Sequence, residues 1–277
     1  MKLLVNFLFS LIAITLLISG KVESTQPEHS THFVVIIPSY NNKEWYKKNL
    51  DSVLSQRYTN FEVVYVADAP TDGTETLVEE YFNTKTTPIK CTLIKNEKRS
   101  GALCNLYHAI HECQPHYVVV TVDGDDWLPD ENVLTYLNDV YSNRNVWMTY
   151  GQSLHYPSNR IGGARQIPDT IIQTNAHRDY EWVATHLRTF YAGLFQQIRQ
   201  EDLMYENKFY SVTWDLAFMF PMLEMAGSHS RYIDRIMYVY NCNNPISDFR
   251  IAAQLQGAYE KDIRSKPRYM PLQSLPA

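Results

Sequence analysis

The stretch Val118-Val119-Val120-Thr121-Val122-Asp123-Gly124-Asp125-Asp126-Trp127 runs from five β-branched residues straight into three carboxylates within four positions. Stiff β-branched side chains favour extended backbone. A short unbroken apolar run reads as a strand buried on both faces, as in parallel sheets covered by helices. The acids therefore stand just beyond the carboxyl end of a strand, where open α/β sheets bind ligands. Carboxylates this close repel one another unless something positive lies among them. Mg²⁺ or Mn²⁺ is the expected cofactor, because hard divalent cations take oxygen ligands and Mg²⁺ combines one or two carboxylates with substrate phosphates. In an extended segment Asp123 and Asp125 point the same way, and Gly124 lets a ligand approach the backbone. These two aspartates are the candidate metal ligands. A solvated Asp/Gly turn is the competing reading of an isolated acidic cluster; the preceding strand is what favours a site.

Outward from this segment the same alternation recurs. Phe33 to Ile37, Phe61 to Val66, Cys91 to Ile94 and Val146 to Tyr150 read as further strands. Helical stripes lie between them: Tyr46, Leu50, Val53 and Leu54; Leu77, Val78, Tyr81 and Phe82; Leu103, Tyr107 and Ile110; and Val133, Leu134, Leu137, Val140 and Tyr141. Such repeats predict parallel strands joined by right-handed helical crossovers. Each strand ends in a polar cluster: Pro38 to Asn42, Ala67 to Thr74, Asn96 to Gly101 and Asp123 to Trp127. The strand-end rule sends all four to one crevice. After Gly151 the periodicity weakens. Helical patterns return over Glu181 to Ile198 and Trp214 to Met225, Arg231 to Tyr240 reads as a late strand, and the tail beyond Lys266, with three prolines, reads as loosely held.

The chain has 277 residues, 45% of them apolar and 20% charged, which suits an ordinary globular α/β protein. Its formal net charge of −5 gives no support for a nucleic-acid partner, which calls for a basic face. Most of the 20 tyrosines are expected to be packing residues, some lining a binding site. The four cysteines form no Cys-x-x-Cys pair, so thiolate metal spacing is missing. Met1-Lys2 followed by an apolar run from Leu3 to Ile18 describes a signal peptide or membrane anchor over 1–20. The sequence leaves open whether it is cleaved. It predicts export or membrane attachment, with membrane association through residues 3–18. Residues 21–31 would form a tether, 32–150 a first half holding the four strand-end clusters, 151–265 a second half, and 266–277 a tail.

Three segments carry a resemblance: Ile36-Ile37-Pro38-Ser39-Tyr40-Asn41, Val66-Ala67-Asp68-Ala69-Pro70-Thr71-Asp72-Gly73-Thr74 and Val122-Asp123-Gly124-Asp125-Asp126. In order and spacing they resemble the successive motifs of family-2 glycosyltransferases with the GT-A fold, a Rossmann-like mixed sheet flanked by helices. The resemblance implies that Pro38, Tyr40 and Asn41 line a base pocket and that Asp68 bonds the base. Ala67 stands where the family often has a second acid, which leaves nucleotide preference open. Arg99, Ser100, Gly101 and Asn105 fall where the family approaches the diphosphate and donor sugar, with Asp123 beside them. Trp214-Asp215 falls where the family has a Glu-Asp pair, with Trp in place of the Glu; the resemblance implies that Asp215 is the catalytic base, and the competing reading is a helix N-terminal aspartate favoured by the dipole. Asp72-Gly73-Thr74 is more simply a turn and helix start. His186 and Arg188 could reach donor phosphates, though a structural role is the simpler expectation for each. Tyr238 to Asn241 resembles a late segment that closes the sheet by packing.

The resemblance implies sugar transfer from a nucleoside-diphosphate sugar, UDP-sugars foremost, to a hydroxyl on a glycan, lipid or protein, with inversion. A nucleotidyltransferase would want a Gly-rich phosphate loop near the first strand, and none is present. A binding protein keeping the fold without the chemistry is a second alternative. A metal-dependent hydrolase would want histidines near the acids, and the nearest downstream in sequence is His155.

Overall fold

A computed structural model describes residues 30–246 and 253–276. The expected signal or anchor over 1–20 lies outside the described residues. Among the described residues no helix is long and apolar enough to cross a membrane.

The anticipated alternation is present. Strands β1 (Phe33–Ser39), β2 (Phe61–Ala67), β3 (Lys90–Lys95) and β4 (Val118–Thr121) alternate with helices α1 (Tyr46–Leu54), α2 (Thr74–Thr84) and α3 (Ala102–His111); α4 (Val133–Tyr141) follows β4. Then come β5 (Met148–Tyr156), β6 (Arg160–Ile161), α5 (Asp169–Gln173), β7 (Arg188–Tyr191), α6 (Ala192–Phe195), β8 (Met204–Tyr205), β9 (Lys208–Phe209), α7 (Trp214–Ala226), β10 (Ser230–Asn241) and α8 (Ala253–Ser265). The main sheet runs β10-β5-β7-β4-β1-β2-β3, with β6 on β5, and β8 and β9 form a separate hairpin. Strands β1 to β4 pair in parallel, while β7 is antiparallel to both neighbours, so the sheet is mixed. One sheet thus runs through both halves of the chain.

The unbroken apolar character of β1 follows from its position. Phe33, Val35 and Ile37 pack with residues of α1 and α4, while Val34 and Ile36 face a second core built on α3 and α7. Alternate side chains serve opposite layers, and both layers are dry. Helix α7 is apolar all round and buried at every position except Asp215, as expected of a helix enclosed by other elements.

Two expectations are corrected. The helical pattern from Glu181 to Ile198 is not one helix: it holds β7, followed by the short α6. Strands β4 and β5 would otherwise present unpaired backbone to each other, and the Arg-Thr-Phe-Tyr run fills that gap with two antiparallel ladders. Tertiary pairing overrides a weak local period. The tail beyond Lys266 is not loose either. The Leu272 amide donates to the Met225 carbonyl at 2.9 Å, the Tyr269 amide to the buried Glu224 carboxylate at 2.9 Å, and the Tyr269 hydroxyl to Asp202 at 2.6 Å.

Candidate active site

The ends of β1, β2, β3 and β4 do meet. They form one wall of a cleft of about 570 Å³, and the opposite wall comes from Ser211, Val212, Trp214, Tyr240 and Asn244. Of the residues expected at a donor site, Pro38, Tyr40, Asp68, Arg99, Gly101, Asn105 and Asp123 line it, as does Asp125. Asn41 lies off the wall. Its side chain is engaged with Thr71, accepting from the Thr71 amide at 2.7 Å and donating to the hydroxyl at 3.2 Å.

The acidic loop is held by groups from distant parts of the chain. Buried Asn49 of α1 donates its amide to the carbonyls of Asp123 and Asp126, at 2.9 and 2.8 Å. From β10, the Tyr238 hydroxyl donates to Asp126 Oδ2 at 2.6 Å and accepts from the Asp123 amide at 3.1 Å. The Asn241 amide N–H donates to Asp126 Oδ1 at 2.7 Å, and its side chain donates to the Asp125 carbonyl at 3.1 Å. Strand β10 shifts register against β5 between Ile233 and Tyr238, and its far end bridges to Trp127. Bulges bend strands in this way. Tyr238 to Asn241 therefore clamps the acids, where packing alone was expected.

The three acids differ in what they are free to do. Both Asp126 oxygens are taken, so this residue organises the loop. Burial and the neighbouring charges of Asp125 and Asp123 push its carboxyl well above the usual range. Asp125 keeps one oxygen clear; the other accepts from Asn244 at 2.7 Å. Burial, reinforced by the charge of Asp123, raises it to about 6. Burial also raises Asp123, and Arg188 partly opposes the shift. Burial leads all three shifts and the neighbouring carboxylates add to those of Asp125 and Asp126; a cation among them would favour the charged forms. Oxygen donors of this kind fit Mg²⁺ or Mn²⁺, and Asp123 and Asp125 are the pair facing the cleft. A second grouping, Asp123, Asp126 and His186, presents one ligand atom each within 4.8 Å. The double engagement of Asp126 makes it the weaker set.

His186, for which a structural role was the simpler expectation, has its Nε2 3.6 Å from Asp123 Oδ2. The β4–β7 register pairs Arg188 with Thr121, and two residues further along His186 comes across from Asp123. Its ring stacks on Tyr238, centroids 4.4 Å apart. Burial, with Arg188 adding to it, holds the imidazole well below its usual pKa, hence neutral at pH 7.

Gly124 has a packing reason that the sequence did not suggest. A Cβ there would meet Ser39 Oγ at 2.5 Å and Asn42 Nδ2 at 2.7 Å. The close approach is between the acidic loop and the end of β1. Asp68, 3% exposed, accepts from the amides of Ser100 and Gly101 and the side chain of Asn96, each at 2.8 Å. It thereby shapes the loop that carries Arg99. The Arg99 guanidinium lies 3.9 Å over the Tyr40 ring, tying the β1 and β3 ends together. Asn105, buried on the same wall, has a side-chain Nδ2 with no partner. Asp72 accepts from the Thr74 amide and hydroxyl, and Gly73 sits at φ +87° before α2, which is the expected turn and helix start.

Asp215 lies in the first turn of α7, next to Trp214 on the cleft wall. Its Oδ2 accepts from Arg188 Nη2 at 2.6 Å. Thr213, just before the helix, is left-handed at φ +55° with a buried unpartnered hydroxyl. A β-branched residue there carries strain of about 1–3 kcal/mol, a cost of the chain's sharp entry into α7 at this wall.

Acids and an aromatic–arginine pair from the strand ends gather on one wall of this cleft, while Asp215 stands behind the opposite wall, which its neighbour Trp214 lines. The sequence profile described as "Glycosyl transferase family 2" matches residues 34–207, and the chain belongs to that family. It is 25% identical over 182 residues to glycosyltransferase GlyA of Streptococcus pneumoniae, covering 60% of this chain and 25% of that one. It is 27% identical over 137 residues to the Escherichia coli UDP-Glc:alpha-D-GlcNAc-diphosphoundecaprenol beta-1,3-glucosyltransferase WfgD, covering 50% and 51%. The chain thus spans between a quarter and a half of these relatives. Among solved structures, S. aureus TarS 1-349 with UDP-GlcNAc superposes with TM-score 0.58 at 17% identity, covering 77% of this chain and 59% of that one. The mannosyltransferase PcManGT from Pyrobaculum calidifontis, in complex with GDP-Man and Mn²⁺, gives TM-score 0.57 at 18% identity over 88% and 70%. These likenesses establish the GT-A fold.

Proposed function

We propose that the protein transfers a sugar from a nucleoside-diphosphate sugar, a UDP-sugar foremost, to an acceptor hydroxyl with inversion at the anomeric carbon. The observation that carries this reading is the meeting of Asp123 and Asp125 with the Tyr40–Arg99 pair in one cleft, opposite Trp214 and beside Asp215. Tyr40 and Pro38 offer the base an apolar surface, and Arg99 offers phosphate oxygens a charge-assisted donor. Asp123 and Asp125 would hold Mg²⁺ or Mn²⁺, which would neutralise charge growing on the leaving diphosphate. Asp215 takes the acceptor hydroxyl proton as that oxygen bonds to the anomeric carbon. The bond from that carbon to the phosphate oxygen breaks, and its electron pair leaves with the diphosphate. The cleft walls hold donor and acceptor in line, which removes much of the entropic barrier.

Relatives named as glycosyltransferases, and neighbours solved with UDP-GlcNAc and with GDP-Man and Mn²⁺, support this reading. The test is release of nucleoside diphosphate from a set of nucleotide sugars, with and without EDTA. Turnover that EDTA abolishes and Mn²⁺ restores is expected. A protein that binds these compounds but never cleaves them would be a non-catalytic member of the fold.

A further inference from the structure

Arg188 is an arginine that sequence reasoning assigned no firm role. It is 2% exposed, sits on β7 between the acidic loop and α7, and gives one guanidinium N–H to Asp215 Oδ2 at 2.6 Å. Its Nε has no hydrogen-bond partner although buried. A buried guanidinium is costly unless its charge is compensated and its donors are used. Two carboxylates compensate the charge: Asp215 directly, and Asp123 through the field it feels from Arg188. The other ionisable neighbour, His186, is neutral and stacked away on Tyr238.

The ion pair also determines which oxygen of Asp215 is available. Nη2 engages Oδ2, and among the described residues no hydrogen bond engages Oδ1. The side chain remains 21% exposed. The geometry points to Arg188 as the positioning residue that fixes the Asp215 carboxylate in one orientation, with Oδ1 presented to the acceptor oxygen. This rests on Asp215 being the base, as proposed above. The origin of the arrangement is the β4–β7 register. Pairing Arg188 with Thr121 sets the guanidinium beside Asp123 and under the first turn of α7. The same short strand therefore ties the donor-side acid to the acceptor-side acid. A misplacement of about 1 Å at a reacting group costs on the order of 10²-fold in rate.

The test uses Arg188→Ala, Arg188→Lys and Asp215→Asn in the full chain, with UDP release from UDP-glucose, UDP-galactose and UDP-N-acetylglucosamine in Mn²⁺ and water as acceptor. Arg188→Ala should lose about 10²-fold in kcat with donor KM within about twofold. Added guanidinium chloride at millimolar levels should restore part of kcat, and Arg188→Lys should fall between alanine and wild type. Should Arg188→Ala fail to fold, the lysine variant carries the same kcat-against-KM comparison. A folded Arg188→Ala with wild-type kcat, or one that loses only donor affinity, overturns the inference. Turnover retained in Asp215→Asn would instead remove the base assignment on which it rests; an inert Asp215→Asn beside fully active Arg188 variants removes the positioning role alone.

Discussion

Removing one oxygen from β10, by Tyr238→Phe, tests whether the late strand sets the acidic loop. The Tyr238 hydroxyl donates to the Asp126 carboxylate at 2.6 Å and accepts from the Asp123 amide at 3.1 Å, in a fully buried position. A hydrogen bond to a charged group contributes about 1.5–3 kcal/mol, and a buried partner left unsatisfied costs about 1–3 kcal/mol. The Asn241 amide still serves the other oxygen of Asp126, so the loss is partial. A net destabilisation of about 2–3 kcal/mol follows. At about 2–4 °C per kcal/mol for a chain of this size, Tm should fall by about 4–12 °C. Thermal unfolding followed by circular dichroism reads this, with Tyr240→Phe as the control, since among the described residues no hydrogen bond joins its hydroxyl to the loop. The Mn²⁺-induced rise in Tm should shrink in Tyr238→Phe as well, because the loop presenting Asp123 and Asp125 loosens. A melting point within 1 °C of wild type together with an unchanged Mn²⁺ response would refute the clamp.

Other consequences can be checked on the same protein. Gly124→Ala drives a methyl against Ser39 and Asn42 and should cost about 1–3 kcal/mol in urea unfolding, since neither neighbour can withdraw without opening the β1 end. Asp125 titrates at about 6, above its ordinary value, so it is charged at pH 7.5 and increasingly protonated below 6. Mn²⁺ stabilisation should therefore be strong at pH 7.5 and fade as pH falls through about 6. In the metal-free protein the same raised pKa contributes stability at low pH that is lost as pH rises through about 6, so the two trends have opposite sign and differential scanning with and without Mn²⁺ separates them. Glu224 is fully buried and bidentate to Arg178, with Nε···Oε1 at 2.6 Å and Nη2···Oε2 at 3.0 Å. Breaking such a pair from one side costs about 3–5 kcal/mol. Glu224→Gln should show that loss in denaturant, with the tail around Tyr269 becoming protease-sensitive first.

The parallel half of the fold was legible because each strand there is a compact apolar run ending in a polar cluster. Local pattern and tertiary position agree, so the strand-end rule could send Pro38, Tyr40, Asp68, Arg99, Gly101, Asp123 and Asp125 to one crevice, while Asn105 came from the family resemblance. What the sequence left without a definite role were residues whose place comes from pairing across long sequence distances. Arg188 and His186 reach the acids only because β7 inserts antiparallel between β4 and β5, and a four-residue strand has too few positions to show a period of two. Tyr238 and Asn241 reach Asp126 only because β10 shifts register, which leaves no mark in composition. Asn41 shows the opposite failure. It stands at a strand end by sequence, but its left-handed backbone turns the side chain to Thr71.

The central claim is that Asp123 and Asp125 make donor binding depend on a divalent ion. The most direct measurement is calorimetric titration of UDP-glucose, UDP-galactose, UDP-N-acetylglucosamine and GDP-mannose into wild type and Asp125→Asn, each with Mn²⁺ and with EDTA. Selective binding of one nucleotide sugar by wild type in Mn²⁺, lost in EDTA and in the variant, is the predicted result. Equal binding in all four conditions, or none to any of these donors, would contradict it.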